Sequence, residues 1–510
     1  MNKSLVNALV ATLSVIAVLG ATILGASMKW GIGLSPDSVV YVSGARGLLG
    51  GSGFSLPSYS GDFIPVVQYP PLFPIGLALL GLAGLDPLEG AKWFNLVLFA
   101  ANVTLIGWTV DFSTRSFGSS VLSSLLAMVS FPMVQVHSMA WSEPLFIFCT
   151  FLGLALLASY MEAHQRSLLI ASSLLVGLGF LTRYAGAATV FTGISGILLF
   201  CRAPLRKRLF DTIVFCFLSC SLAGLWMVRN LAVAKAITGR PIGFHAPTWE
   251  HLGTAVKTIV FWLLPVGIYP SGMLLVVCIT LTLAVLLMTR RIKEAKVLQI
   301  HTALPRLLLL FVVNYGLLLL ITVSFLDAQT PFDNRVLSPA FVGVLVLVVC
   351  LSADLLRVSK SAVLARITLS AALFLFLLSH SERSAQWIEQ SYTSGFGYAS
   401  AVWKQSRIIK YVTAFDPDVP IFTNGPDAVY VLAGRRAIMI PAKIDPRTRK
   451  MNDAYSDELA TVAAELKAKH GMLLYFHTIP WRWYLPSEEE LRKGMGLRLV
   501  ASEEDGSVYQ

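Results

Sequence analysis

The sequence predicts a polytopic α-helical membrane protein with about eleven spans, followed by a small α/β domain outside the membrane. Of its 510 residues, 55% are hydrophobic and only 14% are charged, and the mean hydropathy is +0.69. A soluble domain of this size cannot bury so much apolar surface. Long apolar segments recur through residues 1–380, whereas residues 381–510 show a mixed composition with short strand and helix patterns.

The predicted spans are the apolar segments of the first 380 residues that are long enough to cross a bilayer as helices. A further segment, 71–85, opens with YPPLFPIG. Its prolines and its length of ~15 residues favour an interfacial or re-entrant helix, because a crossing needs ~20 residues. The segment 258–267 is likewise doubtful as a span. The eleven predicted spans are 5–27, 93–110, 119–136, 144–160, 168–182, 185–200, 210–232, 271–289, 307–326, 337–356 and 367–380.

The positions of Lys and Arg decide the orientation of these spans. If 71–85 does not cross, the short basic loops all face the cytoplasm, as the positive-inside rule requires; if it does cross, they all face outward. We therefore expect a multi-pass protein of the inner (plasma) membrane, with Lys3 inside and the long connections 28–92 and 233–258 outside. The residues that place the short loops inside are Arg115, Arg166, Arg202, Arg206, Lys207, Arg208, Arg290, Arg291, Lys293, Lys296, Arg357, Lys360 and Arg366.

The net charge of +11 belongs to the membrane part, because residues 1–380 carry 24 Lys and Arg against 13 Asp and Glu. No basic run in a soluble region is interleaved with aromatic residues, so nucleic-acid binding is not expected. All six cysteines lie in or beside apolar segments. Neither a disulfide framework nor a zinc site is implied.

Residues 381–510 form the second predicted domain. DVPIFTNGPDAVYVLAGRRAIMIP has the pattern of a strand, a Gly-Pro turn, a short helix and another strand. DELATVAAELKAKHG has the pattern of an amphipathic helix that ends at Gly471. The strand MLLYFH and the closing pair LRLVAS and SVYQ follow. The topology places this α/β domain on the extracytoplasmic side.

Two acidic residues are the candidates for catalysis on the outer face. Asp37 follows the first span in SPDSVVYVSGARGLLGGSGF, with Tyr41 one turn later and Arg46 about two turns after that. Glu143, in HSMAWSEPLF, opens a span and has His137 nearby. Either acid is also explained by helix capping, with Ser35 and Pro36 before Asp37 and Ser142 before Glu143. Ionisable groups at membrane depth are nevertheless candidates for function.

Two arginines on the same face are candidates for binding a lipid-borne phosphate. Arg183, in LTRYAGAA, lies in a hairpin too short to extend far from the lipid headgroups. Arg335, in FDNRVLSP, has Asp333 beside it. A guanidinium suits a phosphate well, although snorkelling of a long side chain to the interface also explains such positions. Nearby candidates for contacts with substrate are Tyr69 and Tyr184.

The order SPDSVVYVSGARGLLGGSGF, YPPLFPIGLALL, WSEPLF, LTRYAGAA and NRVLSP over about 300 residues resembles the GT-C superfamily of membrane glycosyltransferases. The resemblance is strongest to the bacterial branch of lipid A and lipopolysaccharide sugar transferases and protein O-mannosyltransferase-like proteins. It implies a GT-C-like membrane domain in residues 1–380, with interfacial helices in the first outer loop.

The same resemblance implies an inverting glycosyltransferase, a hexosyl- or pentosyltransferase, whose donor is a sugar on a polyprenyl phosphate. Asp37 matches the catalytic acidic residue of the first outer loop, which by this resemblance would be the general base, and Glu143 matches a second acidic position. The acceptor would be a glycan, a lipid or a protein. Some relatives carry a paired Asp-Glu where this chain has Asp-Ser, and a single carboxylate disfavours a metal-dependent mechanism. We therefore expect no metal and no cofactor other than the lipid-linked donor.

Two other functions remain open from the residues alone. A transporter or flippase of lipid-linked glycans predicts mid-span ionisable residues and paired broken helices, which the sequence does not show. A catalytically inactive, glycan-binding scaffold is opposed only by the presence of Asp37.

Overall fold

The computed structural model describes residues 3–57, 63–263, 303–358, 363–416 and 418–510. Helices dominate the described part of the chain up to residue 393. The helices, each identified here by its first and last residue, are Lys3–Ser27, Pro36–Leu49, Leu72–Leu82, Pro87–Thr114, Phe117–Val129, Phe131–His137, Glu143–Ala163, Arg166–Thr182, the 3₁₀ turn Tyr184–Gly186, Ala187–Phe200, Leu205–Ala234, Trp249–Leu263, Leu304–Phe325, Asn334–Val358, Val363–Thr393, Ala401–Lys404, Arg407–Ala414, Pro426–Ala433, Tyr455–Ala468 and Glu488–Met495.

The protein is a multi-pass membrane protein. Within the described ranges, six helices are long and apolar enough to cross a bilayer, and the pair Phe117–Val129 and Phe131–His137, bent by 57°, would make a seventh span. The bend lies where the second helix starts, at Phe131-Pro132, because proline cannot continue the backbone hydrogen bonds of the first helix. The six helices are Lys3–Ser27, Pro87–Thr114, Glu143–Ala163, Leu205–Ala234, Leu304–Phe325 and the Asn334–Asp354 part of the next helix.

The predicted count of eleven is not reproduced by these six or seven candidates. Ten predicted spans coincide with described helices, and the eleventh, 271–289, lies outside the described residues, as does the basic loop 290–296. The difference arises because 168–182 and 185–200 form short apolar helices, while 367–380 is part of the longer helix Val363–Thr393. The structure therefore shows helices at ten of the predicted spans, and the count of eleven stays a prediction.

The helix Leu72–Leu82 occupies the segment that the sequence predicts to be interfacial or re-entrant. Its 11 residues extend about 16 Å, roughly half the thickness of a hydrocarbon core.

Small residues and serine hydroxyl groups let neighbouring helices approach closely. Ser120 Oγ donates a 2.7 Å hydrogen bond to the Gly107 carbonyl oxygen, and Ser172 Oγ donates one of 2.8 Å to that of Gly153. Such contacts are typical of membrane helix interfaces, where apolar burial alone gives no driving force.

The chain after residue 393 forms a five-stranded sheet with flanking helices. The strands, which overlap the predicted strand segments, are β3 (Ile421–Thr423), β4 (Ile438–Met439), β5 (Met472–Phe476), β6 (Leu499–Glu503) and β7 (Gly506–Tyr509). The order is β4-β3-β5-β7-β6, with β4, β3 and β5 parallel and β7 antiparallel to both β5 and β6. A separate hairpin, β1 (Ser55–Pro57) and β2 (Phe63–Pro65), lies in the first predicted outer loop.

The predicted domain boundary at residue 380 falls inside the helix Val363–Thr393. The apolar pattern ends there, but SERSAQWIEQSYT contains neither glycine nor proline, and the helix continues until the turn at Gly395.

Candidate active site

The helix Pro36–Leu49 presents Asp37 in its first turn. Its N-terminus is capped by Ser35, whose side chain accepts a hydrogen bond from the Ser38 backbone amide. In return, the Ser38 side chain accepts one from the Ser35 backbone amide. This reciprocal cap and the proline at the first helical position agree with the predicted helix start. Asp37 makes no cap hydrogen bond, but it lies in the first turn, where the helix dipole favours an acidic residue, as the alternative explanation from the sequence expects.

The Asp37 carboxylate forms an ion pair with Arg335 and accepts a hydrogen bond from Tyr69. Asp37 Oδ2 lies 2.6 Å from Arg335 Nη2, and Tyr69 Oη donates to Asp37 Oδ1 over 2.6 Å. The structure therefore joins three of the predicted residues, which are separated by up to about 300 positions.

Arg335 links Asp37 to the second predicted acid. Its Nε lies 2.6 Å from Glu143 Oε1, and the same carboxylate oxygen lies 2.7 Å from Arg183 Nη1. Asp37, Arg335, Glu143 and Arg183 thus form a continuous chain of alternating charge, which we call the ion cluster. Charge-assisted contacts of this length are stronger than neutral hydrogen bonds and fix the guanidinium planes.

The two acids of the ion cluster differ in exposure. The Asp37 side chain is 27% exposed, whereas that of Glu143 is 1% exposed. Glu143 Oε2 is buried and has no hydrogen-bond partner among the described residues. Asp37 can therefore meet a substrate from the surface, whereas Glu143 holds two guanidinium groups from below.

Trp141 and Ser142, the two residues before Glu143, also contact the two arginines of the ion cluster. The Arg335 guanidinium lies over the Trp141 ring, 4.2 Å from its centroid. Arg183 Nη1 donates a 3.2 Å hydrogen bond to Ser142 Oγ, and the Tyr41 hydroxyl lies 3.1 Å from the same oxygen. Sequence reasoning missed Trp141 altogether. It also expected Ser142 to cap the helix at Glu143, but the Ser142 side chain makes no cap hydrogen bond.

The surroundings of Asp37 favour its ionised form. Burial raises the pKa of its carboxyl, but the Arg335 guanidinium and the Tyr69 hydroxyl outweigh burial, and the net shift is downward. Burial and the negative charge of Asp37 raise the pKa of Tyr69, which remains a hydrogen-bond donor. Asp37 is therefore a carboxylate held by two donors, with lone pairs left to accept a further proton.

Tyr184 lies behind the loop that carries Tyr69. Its hydroxyl donates to the Val67 carbonyl oxygen over 2.8 Å and accepts from Asn230 Nδ2 over 3.3 Å. Arg229 donates to the Val66 carbonyl oxygen over 2.8 Å. These contacts hold the backbone two and three residues before Tyr69.

Three other predicted residues lie at the margin of the ion cluster or away from it. Arg46 pairs with Asp86 at 3.0 Å on an exposed surface and has no contact with the ion cluster. His137 is fully buried and bonds to Asn102 and to the Met133 carbonyl oxygen, in the manner of a core histidine. Asp333 accepts from the Val336 amide over 2.9 Å and caps the helix that carries Arg335.

The carboxylates of the ion cluster, which could otherwise bind a metal ion, pair with arginine side chains of the protein itself. Among the described residues, no three or more His, Cys, Asp and Glu side chains are placed to hold a metal ion. The Arg335 guanidinium occupies the position between the Asp37 and Glu143 carboxylates that a bridging cation would take. The expectation of a metal-independent site therefore remains a prediction.

Solved structures with the same fold align with almost the whole chain. ArnT from Cupriavidus metallidurans matches in its apo state with a TM-score of 0.59 and 13% identity, and bound to undecaprenyl phosphate with 0.57 and 12%. Each alignment covers 97% of both chains. The oligosaccharyltransferase AglB from Archaeoglobus fulgidus, in complex with an inhibitory peptide and a dolichol-phosphate, matches with a TM-score of 0.52 and 11% identity, covering 92% of this chain and 69% of that one.

These structural neighbours are GT-C glycosyltransferases, and the resemblance stated from the sequence motifs is confirmed at the level of the fold. No family profile and no curated protein matches the sequence. Identities of 11 to 13% establish the fold alone, so the activity has to be argued from the ion cluster.

Proposed function

We propose that the protein is an inverting glycosyltransferase that moves a hexosyl or pentosyl group from a polyprenyl-phosphate donor to an acceptor hydroxyl on the outer face of the membrane. The observation that carries the proposal is the ion cluster, in which a partly exposed carboxylate stands against a guanidinium that a second, buried carboxylate holds in place. The GT-C fold supports a lipid-linked donor, because ArnT and AglB were solved with undecaprenyl phosphate and dolichol-phosphate, respectively.

Asp37 is the proposed general base. It is the more exposed acid of the ion cluster, and its downward-shifted pKa keeps it ionised at neutral pH. A positioned carboxylate can accept the proton of a hydroxyl as that hydroxyl attacks, which contributes a rate factor of roughly a hundred to ten thousand.

Arg183 and Arg335 are the proposed phosphate-binding groups. Their side chains are 21% and 18% exposed, so both guanidinium groups are accessible beside Asp37. Glu143 neutralises one of their two charges from below and Asp37 pairs with Arg335, which leaves donor groups for a phosphate. A guanidinium matches phosphate geometry well and retains its charge at all relevant pH values.

The proposed transfer is a single displacement. The acceptor oxygen forms a bond to the anomeric carbon while the bond from that carbon to the phosphate oxygen breaks. The acceptor proton passes to Asp37, and the polyprenyl phosphate leaves as an anion paired with the arginines. The leaving group needs no proton, because the two cations stabilise the developing charge where it forms. Inversion follows from attack on the face opposite the leaving group.

The proposal is tested by sugar transfer in membranes that contain the wild type, Asp37→Asn or Arg46→Gln, with a panel of radiolabelled polyprenyl-phosphate hexoses and pentoses. We expect Asp37→Asn to slow transfer by roughly a hundred- to ten-thousandfold. Arg46→Gln is the matched control, because Arg46 lies on the same helix but pairs with Asp86. Equal transfer by all three proteins would remove Asp37 as the base.

A flippase or a scaffold gives a different result in the same preparation. Wild-type protein that moves a labelled polyprenyl-phosphate sugar across liposomes without forming a product would identify transport. Binding of the donor without transfer or translocation would identify a scaffold.

A further inference from the structure

Gly33 and Leu34, which come just before the capping residue Ser35 of the proposed catalytic helix, belong to a small ladder of backbone hydrogen bonds. On one side, the Gly33 amide donates to the Ser138 carbonyl oxygen over 2.9 Å, and the Ala140 amide donates to the Gly33 carbonyl oxygen over 2.9 Å. This pairing is parallel and centred on Met139. It ties the segment before Asp37 to the segment before Glu143.

On the other side, the ladder is formed by the chain that leads from the last long helix into the five-stranded sheet. The Leu34 amide donates to the Phe396 carbonyl oxygen over 3.3 Å, and the Tyr398 amide donates to the Leu34 carbonyl oxygen over 2.9 Å. This second pairing is also parallel and is centred on Gly397. Residues 33–34 therefore lie between the segment 138–140 and the segment 396–398.

This ladder fixes where the helices that carry the two acidic residues begin. Asp37 follows Leu34 by three positions, and Glu143 follows Ala140 by three. The capping residue Ser35 also accepts a 2.8 Å hydrogen bond from Trp141 Nε1, which adds a side-chain link next to the backbone ones. The relative position of the base and of the buried carboxylate thus depends on three chain segments held in register.

Only glycine fits at position 397, where the chain pairs with Leu34. Gly397 has φ of +56°, a left-handed conformation, and a Cβ placed there would overlap the Leu34 carbonyl oxygen. The close approach of the two backbones is therefore possible only without a side chain at position 397.

The next residue connects the ladder to the sheet. The Tyr398 side chain is buried, and its hydroxyl donates to Asp427 Oδ2 over 2.6 Å. Arg482 Nη2 lies 2.9 Å from both oxygens of the Asp427 carboxylate. Asp427 follows β3 and Arg482 follows β5, so this buried group gathers at the carboxyl ends of two parallel strands. In open parallel sheets that edge usually receives ligands; here it holds Tyr398.

We propose that Gly397 and Tyr398 are positioning residues, through which the C-terminal sheet region sets the placement of Asp37 at the N-terminus of its helix. This inference rests on the proposed function in that Asp37 is the base. The C-terminal region thereby takes part in catalysis without contacting the reacting atoms. A displacement of about 1 Å at a catalytic group can reduce a rate by up to a hundredfold.

The test compares Gly397→Ala with Gly434→Ala in the full-length protein. Gly434, which ends the helix Pro426–Ala433, has φ of +65°, and a Cβ there meets no atom within 4 Å. Both variants carry the same backbone cost, but only Gly397→Ala displaces Leu34. Amide hydrogen exchange of peptides covering residues 33–41, and kcat and donor KM for transfer, are measured for both variants and the wild type.

For Gly397→Ala we expect faster exchange in residues 33–41 and a kcat lowered by about tenfold, with donor KM changed less than about twofold. For Gly434→Ala we expect neither change. Unaltered exchange at 33–41 in Gly397→Ala, or an equal loss of kcat in both variants, would overturn the inference. Exchange is independent of activity, so wild-type protein without transfer would refute the proposed function while the exchange comparison still decides the positioning role.

A milder pair keeps the inference testable if Gly397→Ala does not fold. Tyr398→Phe removes the hydroxyl that bonds to Asp427, and Tyr509→Phe removes a 2.7 Å bond of the same kind to Glu488 within the same sheet. We expect kcat to fall only in Tyr398→Phe at equal thermal stability of the two variants. A matching loss of kcat in both would show a general structural role instead.

Discussion

Replacing Glu143 by glutamine tests whether Glu143 holds the two arginines in place or acts as a base. The substitution preserves the shape of the side chain and removes its charge. In the structure that charge meets Arg335 at 2.6 Å and Arg183 at 2.7 Å, and the Glu143 side chain is 1% exposed. We expect the variant to lose stability and donor affinity rather than the ability to deprotonate the acceptor.

The magnitude follows from burial. Removing one partner of a fully buried ion pair costs about 3–5 kcal/mol, because an uncompensated charge remains. The two arginines are 21% and 18% exposed and Arg335 keeps Asp37 as a partner. The lower end of the range, about 3 kcal/mol, is therefore expected. For a chain of 510 residues, this corresponds to a fall of about 3 °C in the thermal midpoint.

The assay is thermal unfolding in detergent micelles together with kcat and donor KM. Glu162→Gln is the matched control, because Glu162 lies near the other end of the same helix and, among the described residues, accepts one hydrogen bond, from the Ala303 amide over 3.3 Å. A Glu143→Gln protein with the wild-type midpoint and donor KM but a kcat as low as that of Asp37→Asn would refute the assignment of Glu143 as a support and make it a second base.

Four further predictions concern the groups around Asp37. Tyr69→Phe removes a donor that lowers the Asp37 pKa, so the acid limb of the pH–rate profile should move to higher pH; an unshifted limb would contradict this. In the wild type, ionised Asp37 should persist below its ordinary pKa of about 3.9, so this group should leave the rate flat between about pH 5 and 7, and a limb inside that window would point to another base. Arg335→Lys keeps the charge but replaces the planar guanidinium, which contacts the two carboxylates through different nitrogen atoms, by a single ammonium group. Donor KM should therefore rise by about tenfold, and an unchanged KM would exclude Arg335 from the phosphate site. Excess EDTA should leave the transfer rate unchanged, because Arg335 already lies between the two carboxylates; loss of transfer that Mg²⁺ or Mn²⁺ restores would show a metal requirement.

Local chemistry made much of this protein predictable from its sequence. Apolar runs locate helices, and Ser-Pro-Asp marks a helix start that the structure reproduces with Ser35 as the cap. Alternation and turn residues locate the strands of the C-terminal region. Each of these signals is short-range, because hydrogen bonding and side-chain periodicity act within a few residues of one element.

The sequence also pointed to Asp37, Glu143, Arg183 and Arg335, since charged residues are rare in the predicted spans and expensive at membrane depth. The residues alone could not rank the two acids, and only the family resemblance put Asp37 first. The difference between an exposed Asp37 and a buried Glu143 depends on how deeply each helix start is covered by neighbours from distant parts of the chain. For the same reason, the sequence could not show that Arg46 forms an ion pair with Asp86.

Tertiary structure alone decided the remaining features. Arg335 reaches Asp37 across almost 300 positions of sequence, Trp141 lies under its guanidinium, and residues 396–398 form backbone hydrogen bonds with Leu34. No local pattern encodes these pairings, because each depends on the packing of helices and on backbone hydrogen bonds between segments far apart in the chain. By itself, therefore, the sequence determined the helices and the inventory of charges, whereas their packing decided which carboxylate is accessible and which segments hold it in place.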